Sequence, residues 1–511
     1  MVKISQYVTK RPDIQYGLYC FTPLSYFPEI KSSDSLMLSG KGDFDSVVVG
    51  SGPNGLAAAI TLARHGLKVA VCEKNKFVGG GVRSAELTLP GFIHDTGSAI
   101  YPMFIASPFF SALPLKDYGL QWIYPPASLA HPFDDGTAVL LESSFQTTGS
   151  TLGNDARAYY KLVKPLADSF RKLSYDLLGT MRALRHPLIT AKFGLNALKS
   201  ADSLINNNFE GTRAKGFLAG LAAHSVIPLG MLPSAAIGIV LCAAGHAVGW
   251  PIPCGGAGSI SASLRKYFES LGGTIITGKM IISPSDLPYA RSILFDTSPD
   301  QLVKIYADKL PSNYCKAVKR YQYGPGIFKI DWALSGPIPW KAKECLRAGT
   351  VHLGNGSAEI ARAELDAWQG RIAERPFVIL AQPSLFDQTR APDGKHTAWA
   401  YCHVPNGCNI DMTGCIEKQV ERFAPGFPEL IMARSISTPL SLQQENPNLV
   451  GGDIVGGAQT LKQLFCRPAC KIVPYSVPLD GVYLCSSSTP PGAGVHGMCG
   501  FHAAQTCLRS I

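Results

Sequence analysis

The sequence predicts an α/β protein in which a discontinuous Rossmann-like nucleotide-binding domain carries an inserted α+β part, made of helices and a mixed or antiparallel sheet. Two observations predict this architecture. A strand, a glycine-rich turn, a helix and a second strand ending in an acid follow one another over 46–73, and another glycine-rich strand-to-helix turn lies at 482–497. Parallel strands of one sheet end at one edge, so we expect the two turns to meet.

The first turn carries three spaced glycines. Gly50, Gly52 and Gly55 follow a buried strand over 46–49 and open a helix over 54–65. These glycines permit a tight turn, a close approach to a pyrophosphate and close packing of helix on strand, while the helix N-terminus offers free N–H groups. Glu73 ends the next strand, where a carboxylate can bind the adenosine ribose. The unit therefore predicts a dinucleotide site in preference to an ordinary glycine-rich loop.

The amino-acid composition limits the classes of protein to which this chain can belong. The 511 residues, 46% of them hydrophobic and 16% charged, are typical of a globular protein of two or three domains and exclude a nucleic-acid-coating chain. The 14 cysteines include no CxxC pair, and Cys466 and Cys470 lack a zinc or redox spacing. We therefore expect no metal, scattered thiols and a reducing, cytoplasmic compartment.

Two segments raise the question of a membrane. The basic excess over 157–199 alternates with apolar residues, which is typical of a solvated helix over a buried stripe or of a helix peripheral to a membrane. The segment 216–264 has no charged residue, but prolines interrupt it, so we expect a buried helix lining an apolar cavity. The first 42 residues show no secretory signal.

Segments in the middle of the chain belong alternately to the nucleotide-binding domain and to the inserted part. A helix over 259–271 and a strand over 291–295 suit the nucleotide-binding domain, whereas 327–334, 377–380 and 396–403 predict strands of the inserted sheet. The predicted divisions are an N-terminal extension at 1–42, nucleotide-binding parts at 43–150, 251–300 and 451–511, a helical region at 151–250 and a substrate-binding domain at 301–450.

The second glycine-rich turn favours a flavin. A buried strand over 482–485 precedes glycines at 492, 494 and 497 and a final helix that reaches about Leu508. A helix N-terminus here supplies donors and a positive dipole to a flavin C2 carbonyl, which gains negative charge on reduction. A nicotinamide cofactor would not require this turn, so the sequence predicts FAD.

Several motifs together resemble the phytoene desaturase family of FAD-dependent oxidoreductases: the glycines of 50–55 with Glu73, and residues 79–83, 95–97, 249–251, 255–256 and 492–497. Further motifs resemble its branch containing pyridine nucleotide-disulfide oxidoreductase domain-containing protein 2: residues 323–326, 352–354, 390–392, 451–453 and 495–497. The resemblance extends from residue 45 to the C-terminus. It implies an FAD domain of the glutathione reductase/amine oxidase type. This chain departs from that pattern between 273 and 299, where the usual β-meander is shortened to 279–289.

The resemblance implies FAD contacts at Gly50, Gly52, Pro53, Asn54, Gly55, Glu73, Lys74, Gly80, Gly81, Val82, Arg83, Gly492, Gly494, Val495, His496 and Gly497. The chain lacks the paired cysteines of a disulfide reductase and has one dinucleotide fingerprint. A tightly bound FAD without an NAD domain is therefore implied.

The leading hypothesis is an oxidoreductase that moves hydride between flavin N5 and a small apolar, polyene or lipid-derived substrate, with oxygen or a quinone as electron acceptor. The candidate catalytic residues are His496, Lys329 and Asp331. The alternatives are a turn histidine bonded to backbone for His496 and a salt-bridged surface pair for Lys329 and Asp331. Two other functions stay open: an interaction protein with structural FAD, and an amine oxidase-like enzyme with an aromatic cage.

Overall fold

The structure is a computed structural model that describes residues 43–180 and 184–511, so the predicted N-terminal extension lies outside the described residues. The strands are β1 Phe44–Val49, β2 Val69–Cys72, β3 Ser84–Glu86, β4 Ile93–Asp95, β5 Trp122–Ile123, β6 Ala127–Pro132, β7 Ala138–Leu141, β8 Ile252–Pro253, β9 Thr274–Ile276, β10 Ala290–Phe295, β11 Gly326–Leu334, β12 Ala348–Leu353, β13 Val378–Ala381, β14 His396–Val404, β15 Ile431–Ser437 and β16 Val482–Leu484.

The helices are α1 Pro53–Arg64, α2 Pro102–Ala106, α3 Phe145–Ser150, α4 Ala156–Asp168, α5 Phe170–Leu177, α6 Pro187–Ala197, α7 Ala201–Asn208, α8 Thr212–Ala223, α9 Ala235–Ala247, α10 Gly258–Ser270, α11 Pro299–Ile305, α12 Ser312–Lys319, α13 Ser357–Trp368, α14 Thr413–Phe423, α15 Pro439–Glu445, α16 Leu461–Phe465 and α17 Met498–Leu508.

A parallel five-stranded sheet forms the core of the nucleotide-binding domain, in the order β16-β10-β1-β2-β9. Its strands come from three separate parts of the chain, which confirms the predicted discontinuous Rossmann-like fold. Helices α1 and α17 cross at very close range, because a Cβ at Gly500 would lie 1.8 Å from the Asn54 carbonyl oxygen. This contact brings the two glycine-rich turns to one edge of the sheet.

The inserted part contains a seven-stranded mixed sheet, in the order β15-β11-β14-β13-β12-β6-β7, as predicted. Its pairs are antiparallel except for β12 with β6, which run parallel. The predicted division places residues 43–150 in the nucleotide-binding domain. Strands β6 and β7 correct it, because they fall within this range but belong to the second sheet. The pairing of β6 with β12 joins segments more than 200 residues apart, and no local pattern encodes it.

Strand β11 shows the predicted alternation. Phe328, Ile330 and Trp332 point to a core that also contains Ile416 and Val420 of α14. The odd-numbered residues of β11 therefore face the opposite way, toward the nucleotide-binding domain. This alternation decides which side chains wall the site described below.

The helical region covers the second sheet. Helix α9 is buried along most of its length, in agreement with the predicted buried helix. Within residues 43–180 and 184–511, no helix is long and apolar enough to cross a membrane. Of the basic helices, α4 buries an apolar stripe that includes Tyr159 and Val163, whereas α6 leaves Leu188 and Leu195 exposed.

A disulfide bond joins Cys466 to Cys470. The expectation of scattered thiols is wrong for this pair, because the turn that follows α16 brings the two sulfur atoms together at a spacing that the CxxC rule does not cover. The other cysteines of the described residues are free.

Candidate functional site

One cavity of about 470 Å³ joins the two sheets. At one end its walls are the first glycine turn and Glu73, and at the other end they include Lys329 and Trp399 of the second sheet. A nucleotide placed on the turn therefore shares a continuous space with the face of the second sheet.

The first glycine turn packs so closely on Asp296 that it has no space for side chains at Gly50 and Gly52. Gly52 is the N-cap of α1; within the first turn of this helix Pro53 has no N–H and the Gly55 N–H is bonded to Asp296, which leaves the Asn54 N–H for an anion. A Cβ at Gly52 would lie 2.6 Å from Oδ2 of Asp296, and one at Gly50 would lie 2.8 Å from its carbonyl oxygen. Both positions therefore require glycine.

Asp296 is a site residue that the sequence analysis did not identify. Its Oδ2 accepts a hydrogen bond from the Gly55 N–H at 2.8 Å. Burial, with a smaller contribution from the negative charge of Glu73, raises the pKa of its carboxyl to about 7 in spite of that hydrogen bond. The available signal was its position: Asp296 follows β10, whose carboxyl end lies beside that of β1.

Glu73 has a second role besides facing the cavity. Its Oε2 accepts hydrogen bonds from the Ser51 N–H at 3.0 Å and the Ser51 hydroxyl at 2.7 Å, and its Oε1 accepts from the Asn75 N–H at 2.9 Å. A carboxylate has about four acceptor positions, so Glu73 can also accept from a ribose hydroxyl. It thus fixes the turn and remains able to bind a nucleotide.

The second turn is strained where it meets the cavity. Gly492 and Gly494 have φ of +105° and +134°, and Val495, which carries a Cβ, has φ of +53°. Such a conformation costs a non-glycine residue on the order of 1–3 kcal/mol and is typical of ligand sites. Gly497 is the N-cap of α17; the Met498 N–H that follows is bonded to His496 Nδ1, so only later N–H groups of this first turn are left for a ligand.

Buried atoms without partners mark the nucleotide end of the cavity. Asn54 Oδ1 and Arg83 Nε are buried and have no hydrogen-bond partner in the part of the chain that the structure describes. Both residues line the cavity. Together with the glycine turn at the start of α1, these unpartnered atoms fit a bound dinucleotide.

Most of the predicted cofactor residues line the cavity, namely Gly50, Gly52, Pro53, Asn54, Glu73, Lys74, Gly80, Gly81, Val82, Arg83, Gly492, Gly494 and Val495. Gly55, His496 and Gly497 lie behind this wall. Arg83 forms an ion pair with Glu445, and Lys74 Nζ donates to the Gln444 carbonyl at 3.3 Å, so α15 covers this end.

His496 supports the second turn from behind. Its Nδ1 accepts a hydrogen bond from the Met498 N–H at 3.1 Å, and its carbonyl accepts from the Ser107 hydroxyl at 2.6 Å. Burial lowers the pKa of His496 to about 4, so the imidazole is neutral. Its geometry is that of a turn histidine bonded to backbone.

Lys329 and Asp331 form a buried ion pair, with 3% and 0% of their side chains exposed. The interpretation as a surface pair is wrong, because this face of β11 is covered by the nucleotide-binding domain. Lys329 lines the cavity and Asp331 lies behind it. Burial raises the pKa of the Asp331 carboxyl, and its Oδ1 is 3.5 Å from Nδ1 of His94, whose pKa burial lowers to about 3.

A second buried ion pair joins the two domains. Arg390 Nη2 lies 2.9 Å from Oδ2 of Asp95, and both side chains are almost fully buried. Asp95 Oδ1 also accepts from the Ser84 hydroxyl at 2.8 Å and the Ala257 N–H at 2.7 Å. Two motifs quoted for the resemblance, at 95–97 and 390–392, thus meet through one pair. Neither motif by itself predicts this contact.

Aromatic and histidine side chains complete the far end of the cavity. Trp399 and Tyr401 stack on one another with ring centroids 5.9 Å apart and an interplanar angle of 17°. Opposite the sheet, His224, Leu241 and Trp250 line the cavity. The helical segment and the β11 sheet therefore meet at one cavity, as expected, but its wall contains more polar groups than the predicted apolar channel.

Comparison with known proteins supports this description. A family model described as an NAD(P)-binding Rossmann-like domain matches residues 48–112. Pyridine nucleotide-disulfide oxidoreductase domain-containing protein 2 of Rattus norvegicus is 25% identical, over 96% of this chain and 97% of its own. A carotenoid 3,4-desaturase of Haloarcula japonica is 24% identical over 93% and 99%, and a zeta-carotene-forming phytoene desaturase of Myxococcus xanthus is 23% identical over 88% and 90%.

Solved structures share the fold. An oxidoreductase from Methanosarcina mazei superposes with a TM-score of 0.62 at 16% identity, over 91% of this chain and all of its own. A redesigned putrescine oxidase superposes with a TM-score of 0.59 at 16% identity, over 91% and 98%. The predicted fold type is thereby confirmed. The chain is similar, over nearly its whole length, to the phytoene desaturase-type oxidoreductases and to the branch that contains pyridine nucleotide-disulfide oxidoreductase domain-containing protein 2.

Proposed function

We propose that this protein is an FAD-dependent oxidoreductase that removes hydrogen from, or adds it to, a small, largely apolar polyene or lipid-derived substrate. The observation that carries the proposal is the single cavity between the glycine turn and the β11 face. A structural nucleotide site would not need a buried lysine and two aromatic rings at its far end. The full-length relatives named as desaturases support the apolar substrate.

The choice of FAD rests on the second turn. An NAD site needs one glycine-rich helix N-terminus, whereas here two of them, at Gly52 and Gly497, meet at one edge of the sheet. When bound, FAD would supply hydride transfer at its N5 atom. The first turn and Glu73 would hold the pyrophosphate and ribose, and the 492–495 turn would face the flavin ring.

Lys329 is the acid or base of this proposal. Its Nζ reaches the cavity and is held by Asp331, so the pair keeps a proton beside the substrate. Addition of hydrogen uses one hydride and one proton, and the Lys329 ammonium donates that proton to the substrate; removal of hydrogen reverses both transfers. Asp331 is a positioning residue, and His496 holds the turn.

An amine oxidase function is disfavoured by the same side chains. The rings of Trp399 and Tyr401 are nearly parallel with centroids 5.9 Å apart, which is too close for a substrate to lie between them. The Lys329 ammonium lies 5.6 Å from the centre of the Trp399 ring, where a cationic substrate would need to sit.

Anaerobic reduction separates an enzyme from a protein with structural FAD. The purified protein, loaded with FAD, is mixed without oxygen with candidate polyenes and unsaturated lipids. Loss of the oxidised flavin absorbance, followed by its return on addition of oxygen or a quinone, supports the enzyme. A flavin that no substrate of this class reduces, and whose chemically reduced form no substrate of this class reoxidises without oxygen, contradicts the proposal.

A further inference from the structure

Side chains of four strands meet on the cavity face of the second sheet. Strand register aligns them in two cross-strand rows: Asp331, Trp399, Ala381 and Thr350 in the first, and Lys329, Tyr401, Ile379 and His352 in the second. Most of this face is polar, although it is buried. A hydrocarbon channel would not need this composition.

Two buried polar atoms in the first row lack partners. Trp399 Nε1 and Thr350 Oγ1 form no hydrogen bond within the described part of the chain, and the two residues are 5% and 2% exposed. Both residues line the cavity, and only the small Ala381 stands between them in the row. A buried polar group without a partner is costly, so a ligand or water must satisfy these atoms.

Hydrogen-bond donors are in excess at this end. The Trp399 N–H and the Lys329 ammonium can only donate, and Lys329 has three protons for the one acceptor given by Asp331. Glu364 of the neighbouring helix α13 accepts from His403 Nδ1 at 2.8 Å. The acids that line the cavity, Glu73, Asp296 and Glu445, lie at the nucleotide end.

From this excess of donors we infer that the substrate is an apolar molecule carrying a carbonyl oxygen, as in a ketone or a carboxylate. Its oxygen accepts hydrogen bonds from the Trp399 N–H and Lys329 Nζ. This inference rests on the proposed function and names the substrate class of the same site. A pure hydrocarbon would displace water from these donors without replacing its hydrogen bonds, and an amine would meet the charge of Lys329.

Calorimetric titration of the purified protein with nine-carbon probes tests the inference. The probes are 2-nonanone, nonanoate, 1-nonene and nonylamine, which differ in one polar group. We expect the ketone or the carboxylate to bind at least about ten-fold more tightly than the alkene and the amine. The two oxygen-bearing probes distinguish a neutral from an ionised carbonyl substrate.

Two variants locate the effect. Trp399→Phe keeps the ring and removes the N–H, so it should remove most of the preference, whereas Thr350→Val, which removes a hydroxyl two positions along the row, should change the preference less; neither should weaken binding of 1-nonene. Trp340→Phe is the matched control, because this buried tryptophan donates to Gln382 at 2.9 Å away from the cavity. Equal binding of all four probes, or tightest binding of nonylamine, overturns the inference. Flavin content is measured separately, so failure of the proposed function is recognised independently.

A different observation carries a second inference, about helix α6. Leu188 and Leu195 lie one heptad apart and are 85% and 74% exposed, and Leu198 continues the stripe at 53%. The opposite side of α6 buries Phe193 and Ala197. Isolated exposed leucines are ordinary, but a continuous stripe of them on one helix marks a contact surface.

Basic residues flank this stripe. Lys192 and Lys199 are exposed beside the leucines, and α6 carries no acid. We propose that this face docks on an anionic lipid bilayer, with its leucines among the acyl chains and its lysines at the headgroups. Helix α6 packs against α9, whose Leu241 lines the cavity, so docking places the membrane one helix away from the substrate space.

Vesicle co-sedimentation tests the docking face. Vesicles of phosphatidylcholine with one quarter phosphatidylserine should retain the wild-type protein at low salt and release it at high salt. Leu188→Ser with Leu195→Ser should lower the partition coefficient at least about ten-fold. Ile472→Ser, at a residue 77% exposed elsewhere, is the control. Equal partition of all three proteins overturns the proposal, as does a dimer that depends on Leu188 and ignores vesicles.

Discussion

The carboxylate Oδ2 of Asp296 accepts a hydrogen bond from the Gly55 N–H at 2.8 Å, directly beneath the turn that would hold a pyrophosphate. Burial raises the pKa of Asp296 from 3.8 to about 7. Because the folded state binds the proton more tightly than the unfolded chain, this group lowers the free energy of unfolding as the pH rises from about 4 to about 7. At full effect the loss is about 4 kcal/mol.

Asp296→Asn should remove that loss, because the amide oxygen still accepts from Gly55 and carries no charge. Denaturant unfolding of the cofactor-free protein at pH 5 and pH 8 measures the effect. We expect the variant to gain stability relative to wild type at pH 8 by more than at pH 5. The same difference at both pH values would show that Asp296 is ionised throughout.

Gly52→Ala should weaken cofactor binding by at least about ten-fold, and it should also lower the stability of the cofactor-free protein, because the buried Asp296 side chain must shift. A Cβ there would lie 2.6 Å from Asp296 Oδ2 and would block the approach of a phosphate to the helix N-terminus. Gly414→Ala, at a position with no atom within 4 Å, is the control. Titration of the apoprotein with FAD checks the prediction, and unchanged affinity in Gly52→Ala would remove the turn from the cofactor site.

Arg390→Met should destabilise the protein by about 3–5 kcal/mol, because it leaves the buried Asp95 carboxylate without its partner. The double variant Asp95→Asn with Arg390→Met should recover part of this loss, since no buried charge remains unpaired. Denaturant midpoints of the two single variants and the double variant give the coupling energy. Additive effects would mean that the pair does not interact.

Lys329→Met should lower kcat by about 10²–10⁴ while FAD content stays the same, as expected for loss of an acid or base. The double variant Lys329→Met with Asp331→Asn controls for the stranded carboxylate. His496→Ala should instead lower stability by about 1 kcal/mol, through the lost bond to the Met498 N–H, and keep turnover within a few-fold. If His496→Ala loses turnover and Lys329→Met retains it, the two assignments are reversed.

Local sequence patterns were sufficient to predict the first glycine turn and strand β11, which form parts of the cavity wall. The spacing of Gly50, Gly52 and Gly55 between two apolar strands encodes the first turn, and the period of two over 327–334 encodes both faces of β11. Each pattern spans a few residues, and backbone sterics and burial on one face fix the structure within it.

The parts that sequence analysis missed depend on contacts between distant segments. Asp296 gains its role from the neighbouring strand, and the pair of Asp95 and Arg390 joins residues about 300 positions apart. The burial of Lys329 and Asp331 depends on the domain that covers β11. A charged pair at alternate strand positions has the same sequence pattern whether or not another domain lies on it.

The cofactor content of the purified protein tests the central claim most directly. The protein is isolated, incubated with FAD, passed through a desalting column and denatured, and the released nucleotide is identified and counted by chromatography. We expect about one FAD per chain in the wild type and far less in Gly52→Ala. A colourless protein that retains no FAD after this treatment, or that releases a nicotinamide dinucleotide, would contradict it.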